Sequence, residues 1–163
     1  VSEDDKHAYL QSLLSGSPFR RRVPIFGGVV SLILRSLTTD EATAVDAQMM
    51  DDLKHDRVDT QIEFHTARLY YRTALGVERI DFGADKAAVT PKLSSITIQP
   101  GPDGITPVTG LPQLLRRFES DVVPQESLRR SVGRAYMKFQ RLVERLEANS
   151  ETPDFWQGIA SQD

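Results

Sequence analysis

Two histidines, His55 and His65, stand ten residues apart among Asp51, Asp56 and Glu63. Histidine and carboxylate are donor types that ligate metal ions. The spacing argues against a metal site. An HExxH pair sets two ligands one turn apart on one helix face. A ten-residue separation is nearly three turns and brings no third ligand with it. His65 falls on a mixed helical face and is expected to be a half-buried packing residue. Asp81, Phe82 and Gly83 spell the metal-binding tripeptide of protein kinases. The glycine-rich loop, strand lysine and HRD segment that would complete that chemistry are missing. Serines are plentiful, but none lies in a GxSxG elbow, and there is no P-loop or GxGxxG. Carboxylates such as Asp51, Asp52, Asp56 and Glu63 could pair in space, as those of any acidic helix could. Cysteine is absent, which excludes disulfides, thiol nucleophiles and cysteine metal sites. The chain therefore reads as non-enzymatic, with no catalytic residue, cofactor or metal assigned.

Residues suited to contact are easier to find. Arg20, Arg21 and Arg22 form a basic triplet on a candidate edge strand. Such charges discourage unwanted strand pairing, and they can also meet an acidic partner or phosphate. Tyr9 and Leu13 belong to an apolar stripe near the N-terminus. Phe155 and Trp156 form an aromatic pair near the other end, and tryptophan is over-represented among interface hot spots. These residues are the candidate partner-binding set. A second basic set, Arg129, Arg130, Arg134, Lys138, Arg141 and Arg145, lines one long helix against Glu126, Glu144 and Glu147. It reads first as a solvated face with some i,i+4 pairing, and alternatively as a nucleic-acid contact.

The elements that position these residues follow from periodicity. Residues 2–14 predict a short helix, capped by Ser2, with Tyr9, Leu10, Leu13 and Leu14 apolar. A helix this short needs a partner surface, on its own domain or on a neighbouring subunit. Next come Phe19, Val23, Ile25 and Phe26, then Gly27 and Gly28, then Val29, Val30, Leu32, Ile33 and Leu34. This pattern predicts a β-hairpin with the glycine pair as a two-residue turn. Pro24 cannot donate a ladder hydrogen bond, which places the first strand at an edge. Thr38, Thr39, Asp40 and Glu41 open a helix over 39–54, with Ala42, Val45, Met49 and Leu53 on one face. Residues 54–59 break or bend it, and a second helix spans 59–75. The two form an α-hairpin or one bent helix. Gly76 ends the second helix, and 77–82 read as an extended connection or a helix C-terminus entering a turn.

Residues 84–112 are rich in breakers. Leu93, Ile96 and Ile98 alternate as in one short strand, and PGPDG is a turn. Helical spacing resumes over 111–121, with Leu114, Leu115 and Phe118 apolar. The longest helix covers 125–148, stepping through Leu128, Val132, Ala135, Tyr136, Phe139, Leu142, Val143 and Leu146. A cap signal from Ser150 to Pro153 then precedes a one-to-two-turn helix holding Phe155, Trp156 and Ile159.

The fold class expected is α+β, mostly helical. It has an N-terminal β-hairpin, a helical pair, a long Pro/Gly-rich loop and a C-terminal long amphipathic helix. Units at 1–83, 84–112 and 113–163 would form one compact domain, as 163 residues with 39% hydrophobic content allow. A net charge of −3 carries no general nucleic-acid signature. No apolar run approaches the roughly 20 residues of a membrane helix, so no membrane partner is expected. No leader pattern opens the chain. Val1 implies either removal of an initiator methionine or residues preceding it. Lack of cysteine is compatible with a reducing cytosol.

The hairpin ending in VSLILRSLTTDE, followed by helices, resembles the tail assembly chaperones of tailed bacteriophages. In those proteins a strand ending in leucine-arginine-x-leucine-threonine and a glutamate leads into helices. The matching positions are Leu34, Arg35, Leu37, Thr38 and Glu41. The later layout, LPQLLRRFESDV with a long amphipathic helix and the aromatic pair of PDFW, is similar to small baseplate-hub assembly proteins of contractile-tailed phages. The proline-rich stretch 84–111 departs from the pattern. It leaves open a chaperone or a resident subunit of the particle. The resemblance implies partners among phage tail or baseplate proteins, with a homo-oligomer as a further option. It places the protein in the host cytoplasm during assembly, or in the virion tail. It supplies no enzymatic residues. Either role requires apolar surface left over once the fold closes.

Overall fold

A computed structural model describes residues 1–81 and 110–160, with side chains through Gly158. Phe82 and Gly83 of the kinase-like tripeptide, the strand read at Leu93 to Ile98 and the PGPDG turn lie outside the described residues. The fold is α+β. Its described elements run α1 (Glu3–Ser15), β1 (Arg20–Ile25), β2 (Val30–Arg35), α2 (Thr39–Lys54), α3 (Gln61–Gly76), β3 (Val77–Asp81), α4 (Leu111–Arg117), α5 (Glu126–Asn149) and α6 (Gln157–Ala160).

Local signals set the helix starts. The Ser2 hydroxyl accepts from the Asp5 amide and caps α1, and αL Gly16 closes it. Thr38 and Glu41 form a reciprocal capping box at α2, and Thr60 and Glu63 form another at α3. The connecting residues, with Asp56 at φ 56°, turn the chain between two separate helices. This resolves the helical pair as an α-hairpin.

Among the described residues the sheet has three strands in the order β1-β2-β3, both pairings antiparallel. β1 is an edge strand, which accommodates Pro24. Along β2 the alternation is clean. Val30, Leu32 and Leu34 are buried, and Ser31, Ile33 and Arg35 are half-buried. The β1–β2 connection is not a two-residue Gly-Gly turn. The last pair is Ile25 with Val30, so residues 26–29 form the loop. Phe26, Gly27 and Gly28 all take positive φ (51°, 65° and 90°), and Phe26 and Val29 are left exposed. The segment after Gly76 is neither a connection nor a turn. It is β3, paired to β2 with a bulge at Ile33 and Leu34.

Gly76 ends α3, as the sequence implies, but its lack of a side chain serves packing. A Cβ there would overlap the Tyr136 ring. That close approach lets α3 pass α5 and enter β3 without a loop.

One hydrophobic core takes side chains from both ends of the chain, from Tyr9 and Phe19 to Leu146 and Phe155. Phe19 stacks on Phe139 with centroids 5.7 Å apart, and Tyr9 meets the Phe19 ring edge-on at 6.1 Å. α4 continues into a π-helical turn, Phe118–Val122, before Pro124 ends it. The inner face of α5 is Val132, Gly133, Ala135, Tyr136, Phe139, Leu142 and Leu146. On α2 the buried residues are Ala44, Val45, Ala47, Gln48, Met49 and Asp52. Leu53, placed with Val45 and Met49 by its spacing, is exposed, because the helix turns its Ala44–Gln48–Asp52 line inward as well. His65 is likewise exposed rather than half-buried, and it lies edge-on to Phe64.

Candidate partner-binding surfaces

The structure distributes the candidate contact residues unevenly. Tyr9 and Phe155 are buried, and Trp156 is half-buried. The Trp156 indole Nε1–H donates to the Ser150 carbonyl at 2.6 Å, and its ring meets Phe155 edge-on at 4.5 Å. Lys6 of α1 lies over the Phe155 ring, 4.8 Å from its centroid. Burial, aided by the nearby Glu147 charge, raises the Tyr9 phenol above its ordinary pKa of 10.0. The N-terminal helix and the C-terminal tail thus hold each other within one chain. Leu13 stays outside this contact, as does Leu14.

The basic triplet is exposed, but each arginine meets a carboxylate of its own chain. Arg20 Nε reaches both oxygens of Glu78 (2.9 and 3.1 Å). Arg22 reaches Asp81 at 3.1 Å, and Arg21 reaches Asp5 at 3.3 Å. Glu78 and Asp81 belong to β3, the strand missed in the sequence. Arg20 and Arg22 therefore reach across β2 to carboxylates two strands away. Arg79 also pairs with Asp81, at 2.8 Å. Exposed pairs of this kind contribute little stability, but they cancel local charge.

A buried polar group centres on Asp52, which the sequence named only among carboxylates that could pair in space. Asp52 is 4% exposed. Gln48 Nε2 and Arg57 Nη1 donate to its Oδ1 at 2.9 and 2.8 Å, and the Tyr71 hydroxyl donates to its Oδ2 at 3.1 Å. Arg57 also reaches Asp51 at 2.7 Å, and this contact leads the causes that hold the Asp51 carboxyl below the usual carboxylate range. His55 Nδ1 lies 3.0 Å from Asp51. Burial and then the Asp52 charge push the Tyr71 phenol far above 10.0, so it remains a donor. The group borders a cleft of about 610 Å³ between the α2–α3 pair and Gly110, Pro112, Gln113 and Arg116. Its geometry joins α2, the connecting turn and α3 by satisfying a buried carboxylate. The i,i+4 placement of Gln48 and Asp52 was visible in the sequence; Tyr71 was not, because it comes from another helix. Among the described residues, no group of three or more His, Cys, Asp or Glu is arranged to hold a metal ion.

The basic set on α5 divides. Arg129 turns toward the carbonyls of Glu119 and Val123, and Arg130 pairs with Glu126 at 2.7 Å. Arg134, Lys138, Arg141 and Arg145 are exposed and follow one line along the helix, at i, i+4, i+7 and i+11. Among the described residues none of these side chains has a carboxylate in ion-pair contact.

Large apolar side chains are exposed at the loop end of the helical pair. Met50 is 60%, Leu53 48% and Ile62 79% exposed. No described helix is long and apolar enough to cross a membrane. No family model matches the chain, and no curated protein sequence and no solved structure matches it either.

Proposed function

We propose that this protein is a non-enzymatic component of bacteriophage tail or baseplate assembly, working by contact with other tail proteins in the host cytoplasm. The observation that carries the reading is apolar surface outside a completed core, namely Met50, Leu53 and Ile62 on the α2–α3 pair. Fully burying an exposed side chain of this size contributes about 1.5–3 kcal/mol, and these three each retain about half or more of that exposed area for a partner. The resemblance at Leu34, Arg35, Leu37, Thr38 and Glu41 supplies the class of partner. The Arg35–Glu41 bidentate pair (2.8 and 2.6 Å) joins the end of β2 to the start of α2, a structural reason for those residue types at that spacing.

The test is genetic. The coding sequence is disrupted in the viral genome that carries it, and lysates are examined by electron microscopy. The expected result is filled heads with missing or arrested tails, restored by the wild-type protein but not by Met50→Asp/Ile62→Asp. Normal, infective tails in its absence would overturn the reading. Nucleic-acid contact, the alternative, now rests on the α5 line, since Arg20, Arg21 and Arg22 are paired within the chain. Retention on duplex DNA that falls steeply with salt would favour it.

A further inference from the structure

Two unspent surfaces of the fold are opposite in character. One is the α5 line of Arg134, Lys138, Arg141 and Arg145, cationic and free of carboxylate contacts among the described residues. The other is the outer side of the α2–α3 pair. Asp46, Met50 and Leu53 share one line of α2, at i, i+4 and i+7, and Asp59 and Ile62 stand at the start of α3. Asp46 pairs with Arg68 at 3.2 Å, yet its side chain remains 59% exposed. Asp56 and Asp59 are exposed in the same turn, beside exposed Lys54 and an exposed Arg57 that pairs with Asp51 and Asp52. α3 packs against both α2 and α5, and no ion pair joins α2 to α5 among the described residues. Among the described residues the acidic-apolar surface and the basic line thus do not pair with each other within one copy.

We propose that a second copy of this chain is the partner for the α5 line, docking it on the acidic-apolar face of α2–α3. Charge complementarity selects this occupant. A basic line meets a face that carries aspartates and exposed apolar side chains, and the chain supplies both halves. Long Arg and Lys stems cover Met50, Leu53 and Ile62 while their heads reach the aspartates. Used reciprocally, the two surfaces close a two-fold dimer; used one at a time, they join successive copies head to tail. Such contacts close into a ring where the rotation permits and otherwise propagate. The inference rests on the reading that this protein works by contact, but not on the identity of the particle.

Purified full-length protein tests it by sedimentation velocity at about 50 mM and about 0.5 M salt. Screening lengths at these strengths, roughly 14 and 4 Å, separate charge-driven contacts from others. The expected result is a concentration-dependent oligomer at low salt that dissociates at high salt. Arg141→Glu/Arg145→Glu and, separately, Asp46→Lys/Asp59→Lys each weaken association at least tenfold. An equimolar mixture of the two variants re-forms oligomers in which they alternate, because the reversed charges match each other and the unaltered surfaces match as well. The variants are two independent sets of exposed positions, and thermal melting confirms that each folds. A wild-type protein that stays monomeric at low salt overturns the proposal, as do variants that dissociate but fail to recombine. So does a monomer whose α5 line instead retains duplex DNA. A monomer would leave the tail-assembly reading to stand or fall on the particle experiment alone.

Discussion

The Tyr71 hydroxyl on α3 donates to Oδ2 of Asp52 on α2 across 3.1 Å, inside the helical pair and away from solvent. Gln48 and Arg57 occupy the other oxygen. Removing one member therefore strands the rest. Tyr71→Phe deletes one neutral donor and is expected to cost about 1–2 kcal/mol in urea unfolding. Asp52→Ala leaves Gln48 and Tyr71 without their acceptor and should cost more, about 2–4 kcal/mol. If both variants matched the wild type, the network would be incidental.

Alkaline pH provides a second check. Burial raises the Tyr71 phenol above 10.0, the value an unfolded chain would show, and Tyr136 is raised for the same first cause. The folded state thus binds these protons more tightly than the unfolded state. Their contribution is fully present below pH 10 and is lost as pH climbs from there through the folded pKa. Unfolding free energy measured from pH 8 upward should begin to fall near pH 10. Tyr71→Phe should flatten part of that slope.

Acid acts on a different pair. Burial alone would raise the Glu41 carboxyl. The hydrogen bonds from Arg35 and from the Thr38 amide, with the Arg35 charge, outweigh it and hold the pKa below 4.5. Stability from this group is present above the unfolded value and is lost as pH falls through the lower folded one. Glu41→Gln keeps the reach of the capping box but removes the charge. It should cost about 1 kcal/mol at neutral pH, and that difference should shrink as pH falls below 4.5, read by thermal melting across that range.

Gly76→Ala tests the approach of α3 to α5. The added methyl overlaps the Tyr136 ring, and overpacking of this kind costs about 1–3 kcal/mol. Tyr136→Leu alone opens a void, so combining it with Gly76→Ala should cost less than the sum of the two. Strict additivity in a double-mutant cycle would rule out the contact as the cause.

Met50→Asp and Ile62→Asp address the outer surface. Both side chains are mostly exposed, so each should change stability by no more than about 0.5 kcal/mol. The same changes should abolish assembly in the particle experiment. A loss of stability matching the loss of function would remove these residues from the contact surface.

Some of this protein was legible in its residues because the interactions concerned are local. Ser2 and the Thr38–Glu41 pair act within one helical turn. Proline at 24 constrains its own amide, and the long apolar period of α5 repeats regardless of what packs on it. The α+β class followed from these features. β3 was not legible, since VERID becomes a strand by pairing with β2, more than forty positions earlier. That pairing also decided the fate of Arg20 and Arg22, because it brought Glu78 and Asp81 to their side of the sheet. Tyr9, Phe155 and Trp156 have the same composition whether they anchor a partner or close their own core. Only the meeting of α1 with the tail, from opposite ends of the chain, turned them inward. Met50, Leu53 and Ile62 show the converse. Apolar residues on a helix suggest burial, and only the packed fold shows these three side chains to be exposed.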